Sequence, residues 1–254
     1  MESTYSEIIE FITDAGKRLK EESGKVKDIG ITKQYLTEED LRIERGLTDI
    51  ITKLGDDHSV FAEEENDNFQ ATSNVWVIDP ISSTKNFIEG RPHYAIVVSH
   101  ILDGQAQFAA VYDPSIDKLF TAYRGKGSFM NGVSVNIDNK VENKKVIFRI
   151  SSQWRETDSL KELEDALANY ELATNTDSVA IHYCDLLRGR VSGVICFAKD
   201  SFPNFAGSFL VNEAGGKATN REGSSNLNPT DRIFIAGSQS QYAKLFSIVT
   251  QFIK

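Results

Sequence analysis

Apolar side chains recur every three to four residues near the start of the chain, and this spacing predicts two amphipathic helices. The first helix carries its apolar face from Tyr5 to Leu19. The second is expected to open at Thr37, because Thr37 and Asp40 have the spacing of a capping box, and to close at Gly55. Both helices therefore have one face to bury.

The middle of the chain is patterned as β-strands. Asp103-Gly104 separates two apolar runs, Tyr94–Leu102 and Gln105–Tyr112, and this is a strong signal for a β-hairpin. From about residue 146 onward, strands and helices alternate instead. An α+β half followed by an α/β half predicts two closely packed domains, residues 1–140 and 141–254, with a cleft between them as the default place for a site.

Composition narrows the class of protein. Forty per cent of the 254 residues are hydrophobic, which is enough for a sizeable core, and 37 acidic against 28 basic residues give a net charge of −9. That balance argues against a nucleic-acid partner, since such binding depends on Lys and Arg meeting phosphates. The longest apolar run, Tyr94–Leu102, is too short to span a membrane, and the acidic N-terminus is unlike a signal peptide. We expect a cytoplasmic protein.

The segment from Trp76 to Phe87 contains the strongest candidates for functional residues. An apolar strand runs into Asp79, and three hydroxyl residues follow closely. A carboxylate at a strand end, next to exposed carbonyl and N–H groups, can hold a hard cation and a phosphate together, although Asp and Ser also end strands in ordinary turns. Upstream, the acidic run Glu63-Glu64-Glu65 either returns beside Asp79 to complete a cation site or forms a solvated face.

At this point the sequence resembles the inositol monophosphatase family of metal-dependent sugar-phosphate phosphatases. In that family the central motif reads Asp-Pro-Ile-Asp-Gly-Thr-x-Asn-Phe. Four segments carry the resemblance in family order: Glu63–Glu65, Asp79–Phe87, Gly125–Gly132 and Glu213–Gly216. The resemblance implies a layered αβαβα sandwich and a homodimer.

The resemblance also implies a set of site residues. Glu64 and Asp79 would bind Mg²⁺ through their carboxylates, and Ile81 through its backbone carbonyl. Thr84, paired with Glu64, would orient and deprotonate the attacking water. The backbone N–H groups of Ser83 and Thr84 would hold phosphate oxygens at the start of a helix.

The sequence departs from the family at several of these positions. Ser82 and Pro203 stand where the family has two aspartates that serve a second metal ion, so that ion loses two anionic ligands. Cys196 stands where the family has a glutamate that accepts a substrate hydroxyl. Asp200 and Asn204 lie near enough in sequence to compensate and are the remaining pocket residues.

Two functions follow from these residues. The first is a metal-dependent phosphomonoesterase that acts on a small phosphorylated polyol, sugar or nucleotide, with activity weakened or altered by Ser82 and Pro203. The alternative is a catalytically inactive member of the family that serves as a binding or regulatory protein. The first-metal residues favour the enzyme, and the two substitutions favour the alternative.

Overall fold

The computed structural model describes residues 2–31, 35–64, 72–137, 144–154, 158–174 and 177–253. Within these ranges the chain forms seven α-helices and twelve β-strands. The helices are α1 (Glu2–Glu22), α2 (Glu38–Thr52), α3 (Thr84–Ile88), α4 (Asp158–Ala166), α5 (Val179–Leu187), α6 (Phe202–Glu213) and α7 (Gln239–Phe252). The strands are β1 (His58–Ala62), β2 (Asn74–Ser82), β3 (Ala95–Leu102), β4 (Gln105–Asp113), β5 (Lys118–Tyr123), β6 (Gly127–Met130), β7 (Val133–Val135), β8 (Lys145–Ile150), β9 (Glu171–Ala173), β10 (Gly193–Phe197), β11 (Lys217–Asn220) and β12 (Ile233–Gly237).

The capping box at the start of α2 is confirmed. The Thr37 hydroxyl accepts a hydrogen bond from the Asp40 backbone N–H, and the Asp40 carboxylate accepts one from the Thr37 N–H at 2.8 Å. The reciprocal pair satisfies two N–H groups that a helix start leaves without partners. It also fixes the Asp40 side chain, which is fully buried.

The first sheet has the strand order β1-β2-β3-β4-β5-β6-β7. Only β1 and β2 run parallel, while the other neighbours are antiparallel. The predicted hairpin is confirmed, because β3 and β4 meet at Asp103-Gly104, and both turn residues have positive φ. Such φ values match the twist of the two strands.

The second sheet has the order β11-β12-β10-β8-β9. Its centre, β10, runs parallel to β8 and antiparallel to β12. The parallel strands β8 and β10 therefore end at the same edge of the sheet. That edge forms one wall of the cavity described below.

Three apolar clusters give the order of the layers. One joins α1 and α2 to the outer face of the first sheet. A second fills the space between the two sheets around α5 and α6, and a third lies between the second sheet and the helices α4 and α7. The layered αβαβα sandwich predicted from the sequence is confirmed. The predicted boundary between residues 140 and 141 falls outside the described residues.

None of the helices in the described residues is long and apolar enough to cross a bilayer.

Candidate active site

A cavity of about 460 Å³ opens where β2 ends between the two sheets. This volume suits a small-molecule ligand. Six elements line it: the ends of β2, β8 and β10 and the starts of α3, α5 and α6. Most of the residues predicted for the site line this one cavity: Asp79, Ile81, Ser82, Ser83, Thr84, Cys196, Asp200, Pro203 and Asn204.

The Asp-Pro sequence shapes the end of β2. Pairing with β3 shifts register between Asp79 and Ser82, as in a β-bulge. Proline lacks the N–H that a ladder requires, so Pro80 belongs at such an irregularity. The bulge leaves the Ile81 carbonyl outside the ladder, where it accepts a hydrogen bond from the Thr84 hydroxyl at 2.8 Å. A carbonyl and a carboxylate thus face the cavity within three residues.

Asp79 is a buried carboxyl with other acidic groups close to it at the end of β2. It is buried, and its Oδ1 has no hydrogen-bond partner among the described residues. Burial raises the pKa of its carboxyl well above the usual range, and the neighbouring charges of Glu63 and Asp200 raise it further. A hydrogen bond with Ser82 acts in the opposite direction. The field of three carboxylates favours a cation at this point.

Glu63, rather than Glu64, is the acidic residue beside Asp79. Strands β1 and β2 are parallel with Ala62 opposite Ile78, and the Glu63 N–H donates to the Ile78 carbonyl at 3.1 Å. The next residue on each strand therefore reaches the same edge, and the Glu63 carboxyl hydrogen-bonds to that of Asp79.

Glu64, which the resemblance implies as a metal ligand, lies beside α2. Its backbone N–H donates to Glu44 Oε2 on α2 at 3.0 Å, and Glu64 does not line the cavity.

Asp40 lies beside Thr84, and Glu64, which the resemblance implies as the partner of Thr84, acts on Asp40 through its charge. The Thr84 hydroxyl lies 3.1 Å from Asp40 Oδ1. Burial raises the pKa of Asp40 to about 7, and the charge of Glu64 adds to this, while hydrogen bonds from Thr37 and Thr84 lower it. The capping-box spacing identified Asp40 as a helix cap. Nothing in the sequence showed that its other oxygen would meet a residue 44 positions later.

Ser82 and Pro203 have defined structural roles here. The Ser82 hydroxyl accepts a hydrogen bond from Ser178 Oγ at 2.8 Å, at the start of α5, and also bonds to Asp79. It thereby links the two halves of the sandwich. Pro203 lies in the first turn of α6, where its missing N–H needs no partner within the helix.

Cys196 and Asn204 are fully buried on the opposite wall. Burial raises the pKa of the Cys196 thiol to about 12, so this side chain stays neutral. Asn204 Oδ1 accepts a hydrogen bond from Tyr183 at 2.9 Å, while its Nδ2 has no partner in the described part of the chain. Arg149, Ser151 and Lys199 line the same cavity, and sequence reasoning did not find them.

The donor set fits one hard cation. Glu63, Asp79 and the Ile81 carbonyl provide two carboxylates and one neutral oxygen, and Mg²⁺ often binds one or two carboxylates and keeps several waters. The described residues contain no group of three or more His, Cys, Asp or Glu side chains arranged to hold a metal ion. A second ion would have Asp79 with Ser82 and Pro203, of which only Asp79 is anionic, and Asp200, whose charge acts on Asp79, is the other carboxylate on this cavity.

Two of the four sequence motifs lie away from this cavity. Glu213 Oε2 accepts hydrogen bonds from the N–H groups of Gly125 at 3.0 Å and Gly127 at 3.2 Å. The glycine-rich turn before β6 is thereby fastened to the end of α6. These two motifs thus hold α6 against the first sheet and have a structural role.

Comparison with known proteins decides the family. The model of the inositol monophosphatase family matches residues 1–253. The chain belongs to the inositol monophosphatase family. Its residues share 30% identity over 191 positions with the Nus factor SuhB of Pasteurella multocida, covering 73% of this chain and 71% of that protein.

Other family members resemble the chain over more of its length. A protein of Aquifex aeolicus named fructose-1,6-bisphosphatase/inositol-1-monophosphatase is 29% identical over 224 residues, 85% of each chain. The structure of an IMPase from Thermotoga maritima superposes with a TM-score of 0.82 at 23% identity, covering 100% of this chain and 98% of that one. The fold is therefore that of the inositol monophosphatase family.

Proposed function

We propose that the protein is a Mg²⁺-dependent phosphomonoesterase acting on a small phosphorylated polyol, sugar or nucleotide. One observation carries the proposal: Glu63, Asp79 and the Ile81 carbonyl converge on the cavity that Thr84 also lines. Glu63 replaces Glu64 in the ligand set. The name of the Aquifex aeolicus relative is consistent with this activity.

Magnesium bound at these oxygens would offset the crowded carboxylates and polarise a phosphoryl oxygen as a Lewis acid. The chain's own groups then orient the reactants. The N–H groups of Ser83 and Thr84, at the start of α3, would hold phosphate oxygens. Thr84 Oγ1 accepts a hydrogen bond from the attacking water and passes its own proton toward Asp40 Oδ1, which is 3.1 Å away. A carboxyl with a pKa near 7 is suited to take up that proton.

Ser82 and Pro203 are the basis for expecting weakened turnover. A second ion that stabilises the leaving oxygen would find a neutral hydroxyl and an apolar ring instead of two carboxylates. The enzyme would then work with one firmly held ion.

Phosphate release tests the proposal. We would assay a panel of inositol, sugar and nucleotide phosphates with and without Mg²⁺, using Asp79→Asn, Glu63→Gln and Glu64→Gln. Turnover is expected to need Mg²⁺ and to fall by at least about 100-fold in Asp79→Asn and Glu63→Gln. Glu64→Gln is the matched control, because its neighbour is the acid that faces the cavity. A larger loss in Glu64→Gln than in Glu63→Gln would contradict the assignment.

A binding or regulatory protein is the second candidate. Relatives named Nus factor SuhB, together with Ser82 and Pro203, favour it. Wild-type protein that is silent across the panel, with turnover appearing in a Ser82→Asp, Pro203→Asp double variant, would support this candidate and exclude the enzyme.

We further propose a cytoplasmic homodimer whose partner is a small phosphorylated molecule, with no nucleic-acid or membrane partner. Light scattering would test the assembly. A dimer gives twice the 28.3 kDa of the chain, and a monomeric mass would contradict it.

A further inference from the structure

We infer that Glu44 on α2 is a positioning residue for the proposed metal site, because it fixes the place of the metal ligand Glu63. The inference rests on the proposed function and concerns the same site. Glu44 does not line the cavity, so it would contact neither the ion nor the substrate. It acts through the backbone that follows β1.

Glu44 is a carboxylate on the buried face of α2. It is 2% exposed, and its neighbours Ile43 and Leu47 belong to the apolar cluster between the helix and the first sheet. Burying a carboxylate costs free energy unless the group is hydrogen-bonded. An apolar side chain would pack at least as well at this position, so packing does not account for the carboxylate.

The partner of Glu44 is the backbone next to a metal ligand. Its Oε2 accepts a hydrogen bond from the Glu64 N–H at 3.0 Å. The preceding N–H, that of Glu63, donates to the Ile78 carbonyl on β2 at 3.1 Å. Glu63 therefore lies between two anchors, because β2 holds its own N–H and α2 holds the next one. Its carboxyl hydrogen-bonds to that of Asp79.

Strand β1 needs the second anchor because it lies at the edge of its sheet. Among the described strands only β2 pairs with β1, and this pairing ends at Ala62. The N–H groups on the outer side of an edge strand have no neighbouring strand to bind. Glu44 supplies the acceptor on that side. The metal ligand follows Ala62 directly, so its position depends on where the chain leaves the sheet.

Helix α2 brings a second carboxylate to the same site. Asp40 precedes Glu44 by four residues, and side chains with this spacing lie on one face of a helix. Asp40 Oδ1 is 3.1 Å from the Thr84 hydroxyl. One turn of α2 thus contacts both the threonine that would orient the attacking water and the backbone of the metal ligand Glu63. The helix holds these two groups in a fixed relation.

Ion binding without turnover tests the inference. We would titrate Mn²⁺ as the probe ion, follow the EPR signal of the unbound ion, and compare wild type with three variants of Glu44. Glu44→Leu and the smaller Glu44→Ala remove the acceptor and should weaken Mn²⁺ binding about 10- to 100-fold, as loss of an outer partner of a metal ligand does. Glu44→Gln keeps an oxygen that accepts the Glu64 N–H, so it should recover most of the affinity.

Glu39 provides the matched control on the same helix. It is also a buried acid, but it pairs with Arg18 and Arg42 and does not line the cavity. Glu39→Leu should lower the free energy of unfolding in urea, because both arginines lose their shared partner, and leave the Mn²⁺ affinity unchanged. Equal losses of affinity in Glu39→Leu and Glu44→Leu would overturn the inference, since α2 would then act through stability alone.

The conservative variant gives a second decisive outcome. If Glu44→Gln weakens Mn²⁺ binding as much as Glu44→Leu does, the hydrogen bond to the Glu64 N–H is not the cause and the inference fails. Urea denaturation of each variant would verify that it is folded.

These outcomes also separate the inference from the proposed function. If wild type binds Mn²⁺ but releases no phosphate from any ester, and Glu44→Leu weakens the binding, the proposed function fails and the inference stands. If turnover requires Mg²⁺, but Glu44→Leu changes neither that requirement nor the Mn²⁺ affinity, the proposed function stands and the inference fails. A wild type that binds no Mn²⁺ would also overturn the inference.

Discussion

Ser83 is a residue whose side chain does not suit its backbone. Its φ of 70° and ψ of 52° lie in the left-handed region, and the family motif has glycine at this position. Left-handed backbone costs a residue with a Cβ roughly 1–2 kcal/mol. The bulge in β2 and the Thr84 hydrogen bonds define the turn from β2 into α3 in which Ser83 lies.

Replacing Ser83 with glycine should therefore stabilise the protein. We expect Ser83→Gly to raise the free energy of unfolding by about 0.5–1 kcal/mol, since relief of the strain exceeds the added freedom of the unfolded chain. Urea denaturation would measure the change.

Asn131 provides the matched comparison for that experiment. It also has a positive φ, of 49°, but its side chain accepts from the Leu119 N–H at 2.8 Å and donates to the Asp117 carbonyl. Asn131→Gly should destabilise the protein, because these hydrogen bonds are lost. Equal changes at the two positions would contradict the strain at Ser83.

Helix α2 connects local capping to the site. The residue that caps it, Thr37, also donates its hydroxyl to Asp40 Oδ2 at 2.5 Å, and the other oxygen of Asp40 meets Thr84. The start of one helix thus positions a carboxylate beside the end of β2.

Removing this cap should affect both stability and turnover. Thr37→Ala is expected to lower the free energy of unfolding by about 1–2 kcal/mol and to reduce kcat, because Asp40 loses the partner that orients it. Chemical denaturation and steady-state kinetics would measure the two effects.

The cap of α7 offers a control for the same change. Ser238 accepts from the Gln241 N–H and does not line the cavity. Ser238→Ala should cost about 1 kcal/mol of stability and leave kcat unchanged. If both variants lowered kcat alike, the effect at Thr37 would reflect stability alone.

At the scale of the whole molecule, one histidine is buried between the two sheets without a hydrogen-bond partner among the described residues. His182 on α5 is inaccessible, and among the described residues neither ring nitrogen has a hydrogen-bond partner. Burial lowers its pKa to about 3, and the charges of Arg149 and His93 lower it further. The folded protein holds this ring neutral, while the unfolded chain protonates it near pH 6.5.

Stability should consequently fall as the solution becomes more acidic. With a folded-state pKa below the unfolded one, the contribution of His182 is intact above pH 6.5 and is lost progressively below it, reaching roughly 2 kcal/mol at pH 5. His182→Leu should remove that part of the loss. Urea unfolding at pH 7.5 and pH 5 would measure it.

A second histidine limits how much of the pH dependence the variant removes. Burial lowers the pKa of His100 to about 4, and its ring hydrogen-bonds to Tyr5 and Asn74. His182→Leu should therefore flatten the stability profile without abolishing its slope. A variant as sensitive to pH as wild type would show that His182 is not the titrating group.

Much of the architecture follows from local signals. Helical spacing, the capping box at Thr37 and the Asp103-Gly104 turn act over a few residues, and each formed where expected. The short strands β6, β7 and β11 were not predicted, since three or four residues carry too little periodicity to be distinguished from loop.

The cavity residues at the end of β2 could also be predicted from the sequence, because they belong to one contiguous motif that begins at Asp79. The sequence could not show which glutamate faces Asp79. That depends on the register of β1 against β2, and a long connection separates these two strands. The approach of Asp40 to Thr84 and of Arg149 to Cys196 likewise requires elements far apart in sequence to pack together. Short-range hydrogen bonding and periodicity set the elements, and the packing of layers set the partners.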